Sequence, residues 1–451
     1  MAATADKFSR LSALKPARPA AARPAALRAP DEEDSLARKL GAGVAKNHFG
    51  EHLSIRNWFS TPEYSEASFA SLDLLSRSRD ESLARTTRAA LADPEKWLFL
   101  DTETTGLAGG TGTYAFLVGL AWWDAGGLQV EQFFMRDFSE EHSLLHELSA
   151  RVANRPVLVT FNGKSFDWPL LESRFTMTRS IAVPKLAAHL DLLHPARALW
   201  KFRLGSVRLV ELERHVLDAP RLGWRRDVDV SSALIPQFYF DYLRGGPTEP
   251  LAGVVKHNQM DLRGLAALFG KINTLLSEPN AGGDAQGLDL FGLSRFLQRR
   301  GETDRAHSAC SQALEIGLPD EIRPKARREL ALMAKRRGKH DHAAEIWQEI
   351  VADTQDGIYA CEQLAIHYEH RAKNLRRAAE FAQLALAKLR RQRSALSGAS
   401  LAARSTRLEQ KFLHRIARLQ HQMQISVGLA GPLALSRSTG KPEAEGRYRH
   451  R

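Results

Sequence analysis

Residues 98–120 read LFLDTETTGLAGGTGTYAFLVGL. An apolar run ends in two acids one residue apart, and a loop rich in glycine and threonine follows at once. The run predicts a buried strand, where a desolvated carboxylate is costly unless something compensates it. Asp101 and Glu103 stand at i and i+2, so on a strand both side chains leave the same face. Two carboxylates held side by side repel, which raises one pKa unless a cation intervenes. Mg²⁺ takes hard oxygen ligands, commonly one or two carboxylates plus a substrate phosphate. Such a pair alone is also frequent on solvated surfaces, so its meaning depends on its company.

The neighbouring segments supply that company. KWLFLDTE, TYAFLVGLAWW and LQVEQFFM, between residues 96 and 135, predict three strands, the last two joined by a DAGG hairpin turn at 124–127. Residues 139–153 have helical apolar spacing and open on Ser139, a residue type that caps helices. VLVTF at 157–161 predicts another buried strand, ending in Asn162 and Gly163, and Asp167 then falls in the first turn of a helix. Asp167 there could equally serve as a cap. AAHLDLLHP at 187–195 predicts a short strand, with Asp191 either a further acid near the site or a structural one. The remainder is helical, ending in VVKHNQMDLRGLAALFGKINTLL at 254–276, where His257 and Asp261 are i and i+4 on one face. A hairpin sheet followed by helices and further strands is an α/β arrangement. The loop glycines Gly106, Gly109, Gly110 and Gly112 are not a phosphate-binding P-loop, because no Gly-Lys-Ser/Thr follows them.

FLDTETTGL, FNGKSFDWPLL and HNQMDL, in that order, resemble motifs I, II and III of the DEDD exonucleases on the ribonuclease H-like fold. The longer context, including LDLLHPARALW and LIPQFYFDYL, is similar to the YprB-like ribonuclease H-like proteins over roughly residues 90–275. The resemblance implies a mixed sheet flanked by helices. It further implies that Asp101, Glu103, Asp167 and Asp261 hold two Mg²⁺ or Mn²⁺ ions, with His257 orienting or deprotonating the attacking water. Two such ions can stabilise both the attacking and the leaving oxygen of a phosphodiester displacement, and a histidine titrates where that task needs it. By the same resemblance Thr104, Leu107, Asn162 and Lys164 are candidate nucleic-acid contacts. One departure concerns subclass: the His-type enzymes place histidine five residues before the last acid and the Tyr-type enzymes place tyrosine four before it. Here histidine occupies the four-residue position. Packing or capping by His257 is the alternative, and Asn258 could contact substrate or hold the helix.

The 451 residues are enough for two or three domains. Residues 1–46 are expected to be a disordered basic arm. Their first 30 carry 11 Ala, 4 Pro, six basic residues and one acid, without the apolar segment of a secretory signal. Residues 47–95 form a lead-in, 96–276 the ribonuclease H-like domain, 277–287 a linker, 288–426 a helical domain and 427–451 a disordered tail. In the helical part, LSRFLQRRGETDRA (293–306), LALMAKRRGKHDHA (330–343) and LAIHYEHRAKNLRRAA (364–379) recur at a period that belongs to tetratricopeptide-like helix pairs, against the alternative of an ordinary bundle.

The net charge of +12 is uneven. Residues 47–285 carry 25 Lys and Arg against 29 Asp and Glu, whereas residues 286–426 carry 25 against 16. The basic surplus therefore lies away from the acidic motifs, as a polyanion-binding surface or as solvated helix faces. The cluster at 322–339 has eight basic residues and one acid but no aromatic residue for base stacking, so contact there would be to phosphates. Cys310 and Cys361 make no disulfide framework or metal cluster, which makes a reducing cytoplasm the default location. No run approaches a membrane span. The expected function is a metal-dependent nuclease, a 3′–5′ exonuclease acting on single-stranded DNA or RNA, with the helical part recruiting a protein partner or gripping nucleic acid. The alternatives are an endonuclease of the same fold and a non-hydrolytic binding or adaptor protein.

Overall fold

In the computed structural model the described residues are 30–60, 89–106, 112–220, 226, 229–277, 286–353, 357–394 and 399–428. The chain divides into two compact units, residues 1–285 and 286–451. No helix among the described residues is long and apolar enough to cross a membrane.

The first unit is built on a seven-stranded mixed sheet. Its strands are β1 (Gly43–Asn47), β2 (Gly50–Phe59), β3 (Trp97–Thr104), β4 (Ala115–Asp124), β5 (Gly127–Phe134), β6 (Val157–Thr160) and β7 (Ala188–Asp191), in spatial order β1-β2-β5-β4-β3-β6-β7. From β1 through β3 the pairings are antiparallel, and β3–β6 and β6–β7 are parallel. The helices are α1 (Pro30–Leu40), α2 (Glu141–Asn154), α3 (Asp167–Thr178), α4 (Leu193–Leu204), α5 (Leu209–Leu212), α6 (Ile235–Leu243) and α7 (Glu249–Ser277).

Two expectations are corrected. Residues 30–46 are not part of an unstructured arm. Leu36 and Leu40 bury one face of α1, and β1 pairs with β2 along its whole length, so the sheet begins before the expected lead-in ends. Residues 1–29 lie outside the described residues, as do 278–285 of the expected linker and 429–451 of the tail. Helix α2 starts at Glu141 rather than at a Ser139 cap. Asp137 Oδ1 accepts the Ser139 N–H at 2.7 Å, and a short 3₁₀ turn, Phe138–Glu140, fills the gap.

The long helix α7 runs along β3 with its residue order reversed. At one end Phe269 meets Trp97 and Phe99 edge-to-face, with ring centroids 5.1 and 5.6 Å apart. At the other end Asn258 and His257 face Asp101 and Glu103. The close approach needs a missing side chain on β4: a Cβ at Gly119 would meet Asn258 Oδ1 at 2.1 Å and Leu262 Cδ1 at 2.8 Å. Apolar packing thus anchors α7 at one end of the sheet and delivers its polar residues to the other.

The second unit is helical: α8 (Gly287–Arg300), α9 (Thr303–Ile316), α10 (Arg323–Arg336), α11 (His340–Asp353), α12 (Ile358–His370), α13 (Leu375–Ser394) and α14 (Ala399–Gly428). The three recurring segments fall on the α8–α9, α10–α11 and α12–α13 turns. Gly301 (φ +87°) and Gly338 (φ +77°) end the leading helix of the first two pairs in the left-handed region. The third turn lacks glycine, and there Lys373 takes φ +53°. Cys310 and Cys361 are free and buried, and burial pushes their thiols up to about 12 and about 11.

Candidate active site

Strand β3 ends in Asp101, Glu103 and a bulge at Glu103/Thr104, where the register with β4 shifts. A bulge re-aims side chains and is frequent beside active sites. Asn258 Nδ2 donates to Asp101 Oδ2 at 2.8 Å, and the orientation of that amide is fixed because Gln132 Nε2 donates to Asn258 Oδ1 at 2.8 Å. Asp167 opens α3, and Thr102 Oγ1 donates to its Oδ1 at 2.5 Å. His257 Nε2 lies 4.0 Å from Glu103 Oε1 and 3.4 Å from Asp261 Oδ2. Ligand atoms of Glu103, His257 and Asp261 all fall within 4.8 Å of one another. Asp101 and Asp167 join this trio through their charges rather than within the same small cluster.

The electrostatics are those of crowded acids. Burial pushes Asp101 well above the usual carboxylate range, and the charges of Asp261, Glu103 and Asp167 add to it. Glu103 is raised well above its usual range by burial, then by Asp261, Asp167 and Asp229. Burial raises Asp167 too, against the hydrogen bond from Thr102. A cluster that is unfavourable when ionised and that offers several hard oxygens plus an imidazole is the donor chemistry a divalent cation satisfies. The residues therefore fit such an ion.

Three residues at this site have no counterpart in the sequence reading. Asp229 Oδ1 lies 2.6 Å from His257 Nδ1, leaving Nε2 directed at Glu103 and Asp261. Burial alone would raise Asp229, but hydrogen bonds from His257 and Arg226 hold it below its usual range. Arg226 Nε and Nη2 pair with Glu213 at 2.6 and 2.7 Å, Nη1 pairs with Asp229 at 2.9 Å, and Nη2 also reaches Asp261. Glu213 fits because Gly264 of α7 has no side chain: a Cβ there would lie 2.1 Å from Glu213 Oε1. The only hint in the sequence is the mixed charge of RRDVDV, which carries no periodicity.

The candidate nucleic-acid contacts separate. Leu107, Gly109 and Gly110 lie outside the described residues. Thr104 Oγ1 donates to Gly106 O at 2.8 Å. Asn162 takes φ +70°, and its N–H and that of Lys164 donate to the Asp191 carboxylate at 2.8 and 3.1 Å. Asp191 also accepts from Leu193 N–H at 3.0 Å, so its carboxylate ties the turn after β6 to the start of α4. The Lys164 side chain is exposed on that turn.

Residues 98–273, which include the acids on β3 and most of α7, match the model of the RNase_H superfamily. The fold of these residues is ribonuclease H-like. The chain is also similar to the "uncharacterized protein YprB" of Bacillus subtilis (strain 168), being 29% identical over 417 residues that cover 86% of this chain and 95% of that protein. That coverage exceeds what residues 1–285 alone can supply, so the likeness extends into the helical unit. A ribonuclease H superfamily domain has the fold of nucleases, and that fold usually carries divalent metals and acts on nucleic acid.

Proposed function

We propose that the ribonuclease H-like unit is a divalent-metal-dependent nuclease that degrades single-stranded DNA or RNA from the 3′ end. Asp101, Glu103, Asp167 and Asp261 would hold Mg²⁺ or Mn²⁺. Two such ions, when bound, supply charge stabilisation to the attacking and leaving oxygens of the phosphodiester. The chain's own residues do the rest. Asp229 holds Nδ1 of His257, so Nε2, with only a long 3.4 Å contact to Ser232 Oγ, faces Glu103 and Asp261 and would take the proton of a water aimed at phosphorus. As the water oxygen bonds to phosphorus the 3′ oxygen departs, releasing a nucleoside 5′-monophosphate and a strand shortened by one nucleotide. Gln132 and Asn258 keep Asp101 from rotating away. The helical unit would recruit a protein partner or hold nucleic acid through the basic faces of α10.

The observation that carries this reading is the convergence of Glu103, Asp261 and an oriented His257 from two distant segments. It is tested by incubating 5′- and 3′-labelled single-stranded oligonucleotides with the full chain in Mg²⁺ or Mn²⁺, beside Asp101→Asn. Stepwise shortening of the 5′-labelled strand, immediate release of the 3′ label, intact circular strands and an inert variant are expected. Cleaved circles would make the enzyme an endonuclease. Equal cleavage by both proteins, or none by the wild type, would reject the reading. One observation favours a non-hydrolytic binder instead: Arg226 already neutralises Asp261. That reading predicts oligonucleotide binding without cleavage in the same assay.

A further inference from the structure

Beside the turn that leads to Asp167 lies a groove of ≈ 600 Å³ that the nuclease reading does not use. It is lined by Phe161 and Asn162 on the turn, by Leu193, Arg197 and Lys201 of α4, and by residues 205–209. No acid lines it, and no Asp or Glu occurs between Asp191 and Glu211. Arg197 and Lys201 are i and i+4 on α4, where like charges repel across one turn. Arg197, Lys201 and Arg208 are exposed, and none of the three forms an ion pair with an acid among the described residues. Arg203, which lies between them in sequence, is spent differently, donating from Nη1 to His215 O.

The backbone builds this cluster on purpose-shaped turns. Gly205 takes φ +67° and its N–H closes α4 on Lys201 O, so the chain reverses and brings Arg208 back to the groove that Arg197 and Lys201 line. On the opposite wall, Asp191 ties down the N–H groups of Asn162 and Lys164. The turn between groove and acids is thereby held rigid, and half-buried Phe161 offers the groove an aromatic surface.

We propose that Arg197, Lys201 and Arg208 form a phosphate-binding subsite for the strand upstream of the scissile bond, its ligand being the phosphodiester backbone of single-stranded nucleic acid. The proposal rests on the nuclease reading and adds to it where the strand runs: across the 161–166 turn, with phosphates on the three cations. Recognition is of charge, so it does not depend on sequence.

The test uses the full chain carrying Asp101→Asn, so that binding is measured without turnover. Fluorescence anisotropy with labelled oligo-dT and oligo-U is recorded across a KCl series for this protein and for the same protein with R197Q, K201Q and R208Q added. Each phosphate contact on a single strand contributes about 0.7 to the slope of log K against log salt. The groove variant is therefore expected to lose about 2 from that slope and at least tenfold in affinity at low salt. Removing three charges elsewhere in the unit, with K96Q, K185Q and R214Q, is expected to leave the slope unchanged. Binding with an unaltered slope in the groove variant overturns the subsite but not the nuclease reading, as does an equal loss in the remote variant. Absence of oligonucleotide binding by the parent protein overturns both. If the triple variant melts at a lower temperature than its parent, the single changes R197Q and K201Q decide, each expected to lower the slope by about 0.7.

Discussion

At Asp101 the protein keeps a carboxylate that its surroundings disfavour. Burial and three neighbouring acids raise its pKa, so the folded chain binds a proton there more tightly than the unfolded chain does. Where the folded state holds more protons, stability falls as pH rises. The loss starts at the ordinary Asp value of 3.8 and continues up to the raised one. Without divalent cations, Asp101→Asn should therefore raise the melting temperature at pH 7 by roughly 2–4 °C, the shift that about 1 kcal/mol produces in a domain of this size. At pH 3.5 the two proteins should melt together, and a variant less stable than wild type at pH 7 would contradict the argument. Asp229 has the opposite character: held below its usual range by His257 and Arg226, it remains ionised. Asp229→Asn should leave substrate affinity nearly unchanged and lower turnover about 10–100-fold, the usual cost of losing the partner that orients a functional histidine. Equal turnover would mean that His257 does not work through that contact. These two acids also differ in legibility. Asp101 announces itself by standing two residues from Glu103 at the end of an apolar run. Asp229 lies in a loop 28 residues from His257, and only the folded chain brings them together.

Among the elements, α7 fixes the distance between the acids of β3 and the residues opposing them, and Gly119 sets that distance. Its absent Cβ leaves room for Asn258 Oδ1, which in turn directs its amide at Asp101. Gly119→Ala should cost about 1–3 kcal/mol, as overpacking of a filled core does, visible as a lower denaturation midpoint with unchanged slope. Cleavage should fall further than stability explains, because α7 or Asn258 must move away from Asp101. An active, fully stable variant would show that the helix is not seated by this contact. The same element level separates what could be read in advance from what could not. Strands β3, β4 and β6 were legible because both their faces are buried and their apolar runs are continuous. Strand β2 was not: His52, Glu51 and Arg56 interrupt its pattern, and their partners Ser143, Arg136 and Glu131 sit 75 to 91 residues away. An edge hairpin whose polar residues are satisfied from other elements gives no alternation to detect. The helical character of the second unit was legible, and so were its turns, where Gly301 and Gly338 take the left-handed region and Lys373 does so in the third.

On the scale of the whole molecule, two units of different chemistry share one chain, and their tryptophans can report on them separately. Seven of the eight tryptophans lie in residues 1–285, and Trp347, buried in the helical unit, is the exception. In Trp347→Phe all indole fluorescence comes from the ribonuclease H-like unit. A ligand that binds only the folded form of one unit stabilises it by RT ln(1 + [L]/Kd), about 2.7 kcal/mol at one hundred times Kd. Mn²⁺ titrated into Trp347→Phe should therefore move the fluorescence-detected transition upward. The same titration with Asp101→Asn added should move it much less, since one of the acids that draw in the cation has lost its charge. Circular dichroism, dominated by helix and so by α8–α14 together with α7, should show a component that Mn²⁺ does not shift. A uniform upward shift of the whole dichroism curve would mean that the two units unfold as one. An equal fluorescence shift with and without Asp101→Asn would place the bound cation away from the β3 acids and remove the physical basis for reading this unit as a metal-dependent nuclease.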